Sequence, residues 1–353
     1  MNTHANFEND SPLLRWGVLG TARVARQVMI PGIQQSRNGR VLAIASRNLQ
    51  RARQMSASFQ VERAYGSYEE LLEDDDVQAV YIPLPNTLHR EWTVKAAACG
   101  RHVFCEKPLA CNAAEAAEMV DACTTNGVLL MEAVVSRFHP HNVQIKAILD
   151  QGRIGRPLRM TAVHSSDRPS DSDIRLSRDL RGGILMDKGC YCINTARYLF
   201  GSEPVSVFAS AEFGDRSHVD ERVIATLSFP DGAVAQFDCN FSLASSCYRQ
   251  SYQVFGESGH IHVPTGFSQV KTYRHGTIVD SAYYLSEDDA TDPRVQRIDC
   301  DGAHIWQVTA EYFADCVLND RPLSPPAENG LANMKVIDAI YASARQGRPV
   351  EIV

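Results

Sequence analysis

Cysteine is sparse and unpatterned: there are ten in 353 residues, none at Cys-x-x-Cys spacing, and Cys190 and Cys192 are separated by a single residue. This excludes a disulfide scaffold and points to reduced thiols in a cytoplasmic protein. Long apolar runs are missing as well. No stretch approaches the roughly 18 residues that cross a bilayer. The segment Met1 to Pro12 is polar, with Glu8 and Asp10, so neither a membrane span nor a secretory signal is expected. Positive charge is not in excess: 35 Lys and Arg stand against 42 Asp and Glu, both signs are scattered, and the net charge is −7. Nucleic acid is therefore not expected as the main partner. Internal repeats and low-complexity segments are absent. His139-x-His141 and His260-x-His262 place imidazoles at alternate positions, but no third ligand at zinc spacing accompanies either pair, and no metal is expected.

What remains is a chain with 44% hydrophobic and 22% charged residues, enough for two buried cores. From Arg15 to about Glu132 short apolar runs alternate with helical patterns, the signature of a parallel sheet covered on both faces. The expected strands are Trp16–Leu19, Val41–Ala45, a short one near Val61–Ala64, Ala79–Leu84, Val103–Cys105 and Val128–Met131. Ser67 with Glu70 and Asn112 with Glu115 fit capping boxes, and Gly100 and Gly127 fit helix stops. After His139-Pro140 the pattern changes. A helix to about Asp150 and a strand at Leu158–Val163 lead into a long polar stretch, Ser165 to Gly183, of the length that usually carries function. A helix from Leu185 to Phe200 follows, then hairpins at Val205–Glu212, Val223–Phe229, Ala233–Phe241, Tyr252–Phe255 and His260–Val263. Ser286–Asp292 reads as an acidic surface loop. Late helices at His304–Leu318 and Leu331–Ala344 cover this sheet or pack back on the first half.

Gly20-Thr21-Ala22-Arg23-Val24-Ala25 lies directly between the first strand and the first helix. There a dinucleotide fold presents helix amides to a pyrophosphate. Gly20 allows the tight turn, and Ala22 is the smallest departure from a second glycine. At the end of the second strand, where an NAD site places a carboxylate for the ribose hydroxyls, the chain has Ser46-Arg47-Asn48. A hydroxyl beside a guanidinium suits a 2′-phosphate, so NADP(H) is expected, with NAD as the alternative. The fold class is α/β: an N-terminal Rossmann dinucleotide-binding domain, residues 12–135, and a C-terminal α+β domain with an open, mainly antiparallel sheet, residues 136–353.

Strand four runs into Pro83-Leu84-Pro85-Asn86-Thr87-Leu88-His89 and strand five into Cys105-Glu106-Lys107-Pro108, both at carboxyl ends where such sheets bind ligands. With the Gly20 turn, and with Met131-Glu132-Ala133, Arg137-Phe138-His139-Pro140, Gly152-Arg153-Ile154-Gly155 and Gly182-Gly183-Ile184-Leu185-Met186-Asp187-Lys188-Gly189-Cys190-Tyr191, the chain resembles the glucose–fructose oxidoreductase / inositol dehydrogenase / MocA family from Arg15 to about Val353. Tyr191, where many members have His, resembles the branch of dihydrodiol dehydrogenase, NADP-dependent xylose dehydrogenases and deoxysugar 3-ketoreductases. Lys188 stands where the family usually has an apolar residue.

The resemblance implies an NADP(H)-dependent oxidoreductase acting on a sugar, polyol or related carbonyl. The alternatives are a 3-ketoreductase of a nucleotide-linked deoxysugar and, outside enzymes, a nucleotide-sensing regulator. It also implies that Lys107 and Tyr191 touch the reacting oxygen while Asp187 holds a neighbouring hydroxyl, and that the Lys107-Pro108 bond is cis. Oxidising a carbinol requires a positioned acid/base. Tyr191 is assigned as proton donor or acceptor and Lys107 as its electrostatic partner, although the two roles could be exchanged. Unperturbed, their pKa values are ~10 and ~10.4, so burial beside a cationic nicotinamide is expected to lower Lys107, and its charge to lower Tyr191. Gly20, Thr21, Ala22, Arg23, Val24, Ser46, Arg47, Leu84, Asn86, His89, Glu106, Lys107 and Arg137 are the expected cofactor residues, with Asn86 and His89 on the nicotinamide-ribose side. Glu106 either fixes Lys107 or contacts the cofactor, and Arg137 and His139 lie near the domain junction. Asp173 and Arg175 are expected to bind sugar hydroxyls. A homodimer or homotetramer is expected by analogy.

Overall fold

Buried apolar runs of four to seven residues separated by helices give a parallel sheet in the first half of the chain. The computed structural model describes residues 12–241, 249–264, 281–287, 294–300 and 304–353. Strands β1 (Leu14–Leu19), β2 (Gly39–Ala45), β3 (Arg63–Tyr65), β4 (Ala79–Ile82), β5 (His102–Cys105) and β6 (Leu130–Glu132) pair in the order β3-β2-β1-β4-β5-β6, all parallel. All four β4 residues are buried, as a central strand requires. Helices α1 (Ile30–Gln35), α2 (Leu49–Phe59), α3 (Tyr68–Leu72), α4 (His89–Ala98) and α5 (Ala113–Thr125) make the crossovers. The strand order reverses between β1 and β4, which opens a crevice above their carboxyl ends. Both capping sites form. Ser67 Oγ accepts the Glu70 amide at 3.1 Å and Asn112 Oδ1 the Glu115 amide at 2.9 Å. The reciprocal arms land one residue early, on the Gly66 and Cys111 amides.

The second half supplies α6 (Pro140–Asp150), β7 (Pro157–Ser165), a π-turn at Leu185–Gly189 continuing into α7 (Cys190–Phe200), then β8 (Ser206–Phe213), β9 (Asp220–Ser228), β10 (Val234–Asn240), β11 (Arg249–Gly256), β12 (Gly259–Val263), β13 (Ser281–Glu287) and β14 (Arg294–Cys300). Helices α8 (Ile305–Leu318) and α9 (Glu328–Gln346) and the short β15 (Val350–Glu351) end the chain. The nine strands run β14-β13-β12-β11-β7-β10-β9-β8-β15, antiparallel except where β7 meets β10. Burial alternates along the strands: Val223, Ala225 and Leu227 of β9 face the core, while Ile224 is 44% exposed on the opposite face. Strands β13 to β15 were not anticipated. Of the expected acidic loop, Ser286 and Glu287 end β13, and residues 288–292 lie outside the described residues.

Helix α9 packs on β8 and α5, whereas α8 returns to the first sheet although it lies well beyond the expected boundary at 135/136. Its Phe313 ring sits 5.2 Å from Trp16 and 5.6 Å from Phe104. The approach is close enough that a Cβ on Gly32 would lie 3.0 Å from the Trp306 and Gln307 backbone. Because Phe313 is fully buried, Phe313→Ala is expected to destabilise the N-terminal half by about 3–5 kcal/mol. Urea unfolding followed through tryptophan fluorescence would read this, and a loss below about 1 kcal/mol would mean that α8 is not part of that core.

Candidate active site

At the nucleotide end, Gly20 adopts φ +109° and donates its amide to Ala45 O at 2.8 Å, which turns the chain out of β1. A Cβ there would stand 3.0 Å from Leu84 Cδ2 and 3.6 Å from the Tyr68 hydroxyl. The turn is therefore a cradle that only glycine leaves open. Helix begins at Arg23, and the turn Ala25–Met29 is widened to π geometry just ahead of Pro31, which has no amide to give back to the preceding turn. The first-turn amides around Thr21, Ala22, Arg23 and Val24 thus face the crevice end of the sheet, a fit for a pyrophosphate. At the end of β2, Ser46 is buried while Arg47 is exposed with its guanidinium beside the Tyr68 phenol. Burial pushes that phenol up and Arg47 pulls it down. Tyr68 was not anticipated, since its place in an amphipathic helix reads simply as core.

The Lys107 ammonium, at the end of β5, crosses to the second half of the chain. Its Nζ donates to Asp187 Oδ1 at 2.9 Å and to the Asp187 carbonyl at 2.8 Å, and lies 5.0 Å from the centre of the Tyr191 ring. Lys107, Asp187 and Tyr191 are brought together. The π-turn at Leu185–Gly189 sets Asp187 and Tyr191 on one side of the helix start. Arg175 Nε reaches Asp187 Oδ2 at 3.1 Å and binds Asp173 at 3.1 Å through Nη1, while Lys188 Nζ stands 3.6 Å from Asp187 Oδ2. Burial alone would raise the Asp187 carboxyl, but these three cations hold it well below the usual carboxylate range. The expected lowering of Lys107 is not found. Burial is the largest single influence and lowers it, yet Asp187 together with Tyr191, Cys190 and Glu106 more than offsets burial, and the ammonium is held more firmly than usual. Tyr191 is pushed up by burial, with Lys107 acting against that shift as expected.

The shell beneath this pair is rigid. Glu106 is buried, accepts the Tyr81 hydroxyl at 2.6 Å and holds the Lys107 amide at 3.2 Å, which fixes the start of the turn. The Lys107-Pro108 bond is cis. His89 is fully buried with its ring nitrogens 2.8 Å from Leu84 O and 3.0 Å from Pro108 O. This corrects its expected place beside the nicotinamide ribose: it ties the β4 turn to the β5 turn. Asn86 donates to Arg181 O at 2.9 Å, linking the β4 turn to the polar loop. Arg137 is not part of the Lys107 cluster. Its guanidinium lies 4.5 Å over the Tyr198 ring and lines a separate cavity with Glu132, Asn194 and Asn329. His139 is buried at the start of α6.

Two further residues were missed because nothing in their spacing marks them. His164, at the end of β7, is fully buried with its ring 5.6 Å from that of Tyr191; burial, then Lys188, keeps it neutral. Asp220 opens β9 and accepts the Leu185 amide at 2.7 Å and the Tyr341 hydroxyl at 2.8 Å, anchoring the turn that carries Asp187. Gly183, at φ +117°, admits this contact, since a Cβ there would fall 2.1 Å from Asp220 Oδ1. Among the described residues no group of three His, Cys, Asp or Glu is arranged to hold a metal ion.

Glu132 makes the pH behaviour of the shell testable. It accepts the Leu109 amide at 2.8 Å, and burial pushes its carboxyl up to about 7. The folded chain therefore binds this proton more tightly than the unfolded one, whose pKa is about 4.3. Its contribution to stability is fullest at low pH and is lost as pH rises toward about 7. Glu132→Gln keeps an acceptor for Leu109 and removes the charge. It is expected to be more stable than the parent at pH about 8, by up to about 3 kcal/mol, with no gain at pH about 4. Urea unfolding at the two pH values measures both, and an equal effect at each would refute the assignment.

The arrangement can bind a dinucleotide along the β1–β4 crevice and present an ammonium and a phenol to one oxygen of a second molecule. Comparison with known proteins agrees. Residues 14–134 match the GFO_IDH_MocA model, described as an oxidoreductase family with an NAD-binding Rossmann fold, and residues 142–262 match the GFO/IDH/MocA C-terminal domain. A D-xylose 1-dehydrogenase (NADP(+)) of Haloferax volcanii is 36% identical over 340 residues, 96% of this chain and 100% of that protein. The aldose-aldose oxidoreductase of Caulobacter crescentus, complexed with glycerol, superposes with a TM-score of 0.85 at 28% identity over 96% of this chain and 99% of that one. A 3-ketoreductase from Actinomadura kijaniata, in complex with NADP and TDP-benzene, gives a TM-score of 0.85 at 29% identity over 94% and 98%. A Gly20 turn over a reversed strand order, an ammonium and a phenol meeting from two sheets, and end-to-end likeness to these enzymes have one explanation: the chain belongs to the GFO/IDH/MocA family of NAD(P)-dependent oxidoreductases.

Proposed function

We propose that this enzyme interconverts a hydroxyl and a carbonyl on a sugar or polyol with NADP(H), and that Tyr191 carries the proton. The observation that supports this best is the meeting of Lys107 with Asp187 and the Tyr191 ring. When bound, the nicotinamide supplies the hydride acceptor or donor. The oxygen must then lose or gain a proton, and the Tyr191 hydroxyl is the group whose neutral form is available at physiological pH. Lys107, held as an ammonium by Asp187, cannot readily give up its own proton. It serves as a fixed positive charge that stabilises the oxyanion and the phenolate in turn. Asp187 and Asp173 accept from neighbouring substrate hydroxyls, and Arg175 donates to them.

NADP rather than NAD is supported by Arg47 beside the Tyr68 hydroxyl, with no carboxylate in Ser46-Arg47-Asn48 to repel a 2′-phosphate. Reduction of a nucleotide-linked keto sugar is the second reading, favoured by the ketoreductase likeness. The division at 135/136 is kept as the functional one, with cofactor residues before it and the proton carrier after it. Cys99, Cys105, Cys111, Cys123, Cys190, Cys192, Cys239 and Cys316 are free, as in a reducing compartment, and we place the enzyme in the cytoplasm. No helix among the described residues is long and apolar enough to cross a membrane.

Tyr191→Phe and Lys107→Met are each expected to lower kcat by about 100-fold or more with a cognate sugar, and Arg47→Ala to raise the KM for NADP⁺ about 10-fold while sparing NAD⁺. Reduced-nicotinamide absorbance across aldoses, polyols, dihydrodiols and keto sugars reads all three variants. Retained turnover in both site variants would remove the mechanism. The exposed face of the nine-stranded sheet carries Phe208, 50% exposed, and Ile224, 44% exposed, on neighbouring strands, an apolar patch suited to a second copy of the chain. Light scattering is expected to give the mass of a dimer or tetramer, and a monomer at micromolar concentration would contradict this.

A further inference from the structure

Resting on that reading of the site, the charges around Asp187 say more about the substrate. Lys107 is compensated twice, by Asp187 Oδ1 and by the Asp187 carbonyl. Arg175 is also compensated twice, by Asp187 Oδ2 and by Asp173. Lys188 is not: its one ion-pair contact among the described residues is the longer one, 3.6 Å, to an oxygen that Arg175 already holds at 3.1 Å. Its neighbour His164 is neutral and offers no negative charge. Glu106 lies behind Lys107, engaged by the Tyr81 hydroxyl and the Lys107 amide. In the ion-pair cluster around Asp187, three cations stand against two carboxylates, Asp187 itself and Asp173.

The side chains of Arg175 and Asp173 are the most accessible, at 34% and 25%, followed by Lys188 at 18%, Lys107 at 14% and Asp187 at 10%. Behind the mutually paired Arg175 and Asp173, Lys188 is the next charged group that an entering molecule meets. Neutral hydroxyls need no second ammonium, since Lys107, Arg175, Asp173 and Asp187 already supply donors and acceptors. An incompletely paired ammonium in a closed site is costly unless a ligand completes it. One surplus positive charge matches a carboxylate better than a phosphate dianion.

We propose that the substrate is a sugar acid, a hydroxylated compound bearing a carboxylate within a few atoms of the reacting carbon, and that Lys188 is the residue that selects it. The ion pair forms only when substrate is bound, and no bond is made or broken at Lys188.

The test uses matched sets of an aldose, its aldonate and uronate, and its phosphate ester, with NADP⁺ and NAD⁺, on the intact enzyme and on Lys188→Met and Lys188→Arg. The intact enzyme is expected to favour the carboxylate member. In Lys188→Met the ratio of kcat/KM for acid to that for aldose is expected to fall about 10- to 100-fold, mainly through KM, with partial recovery in Lys188→Arg. Calorimetric titration of the acid into cofactor-free protein is expected to show binding that weakens with salt and is lost in Lys188→Met. Circular dichroism of the variants verifies folding. An unchanged acid-to-aldose ratio in a folded Lys188→Met overturns the proposal, and so does a preference for the phosphate ester. Lys188-dependent binding of the acid with no turnover of any compound supports the acid site and counts against the oxidoreductase reading instead.

Discussion

A single ion pair between Lys107 and Asp187, 80 residues apart in sequence, joins the end of β5 to the turn that opens α7 at the point where chemistry is expected. Its value lies less in stability than in protonation. A buried ammonium and a buried carboxylate are each costly alone, and together each fixes the charged form of the other. Lys107 therefore stays positive and Asp187 negative across the physiological range, and the Tyr191 phenol stands between this pair and His164. In the proposed mechanism the fixed ammonium comes from the first half of the chain and the proton carrier from the second.

Holding that pair requires backbone precision, and the surrounding residues supply it through buried hydrogen bonds. Glu106 and His89 fix the β5 turn from below, through the Lys107 amide and the Pro108 carbonyl. Asp220 fixes the other partner by capping the turn at Leu185, and the bare backbone of Gly183 makes room for it. None of these side chains need touch a substrate. They set where Lys107 and Asp187 stand, and small displacements at such a pair weigh heavily on rate.

Much of this was legible in the sequence because local signals agree with global ones. Apolar runs bounded by Gly100, Gly127 and the Ser67 and Asn112 caps marked the first sheet, and the Gly-Gly-x-x-x-Asp and Glu-Lys-Pro strings marked the two halves of the site. What stayed hidden depends on contacts distant in sequence. Tyr68, His164 and Asp220 carry no motif, since each matters only through what another segment brings against it. The direction of the Lys107 shift was misjudged for the same reason: the resemblance put Asp187 near the substrate, but only geometry shows it bound to the ammonium itself. His89 marks the opposite case, in which a polar residue near a cleft in sequence turns inward in space. Strand β15, two residues long, was missed because so short a segment becomes a strand only when a sheet edge is already there to pair with it, and β13 and β14 were missed because they border the acidic run that reads as a loop.

The return of α8 to the first sheet has a bearing on how the chain is made. Trp16 and Phe104 are translated early, yet the aromatic ring that covers them arrives with residue 313, after every strand of the second sheet except β15. The dinucleotide half cannot finish folding on the ribosome as an independent unit. It waits with an apolar face uncovered, and the last seventh or so of the chain closes both halves at once, so an enzyme cut short near its end would lack a complete nucleotide fold as well as a complete substrate fold.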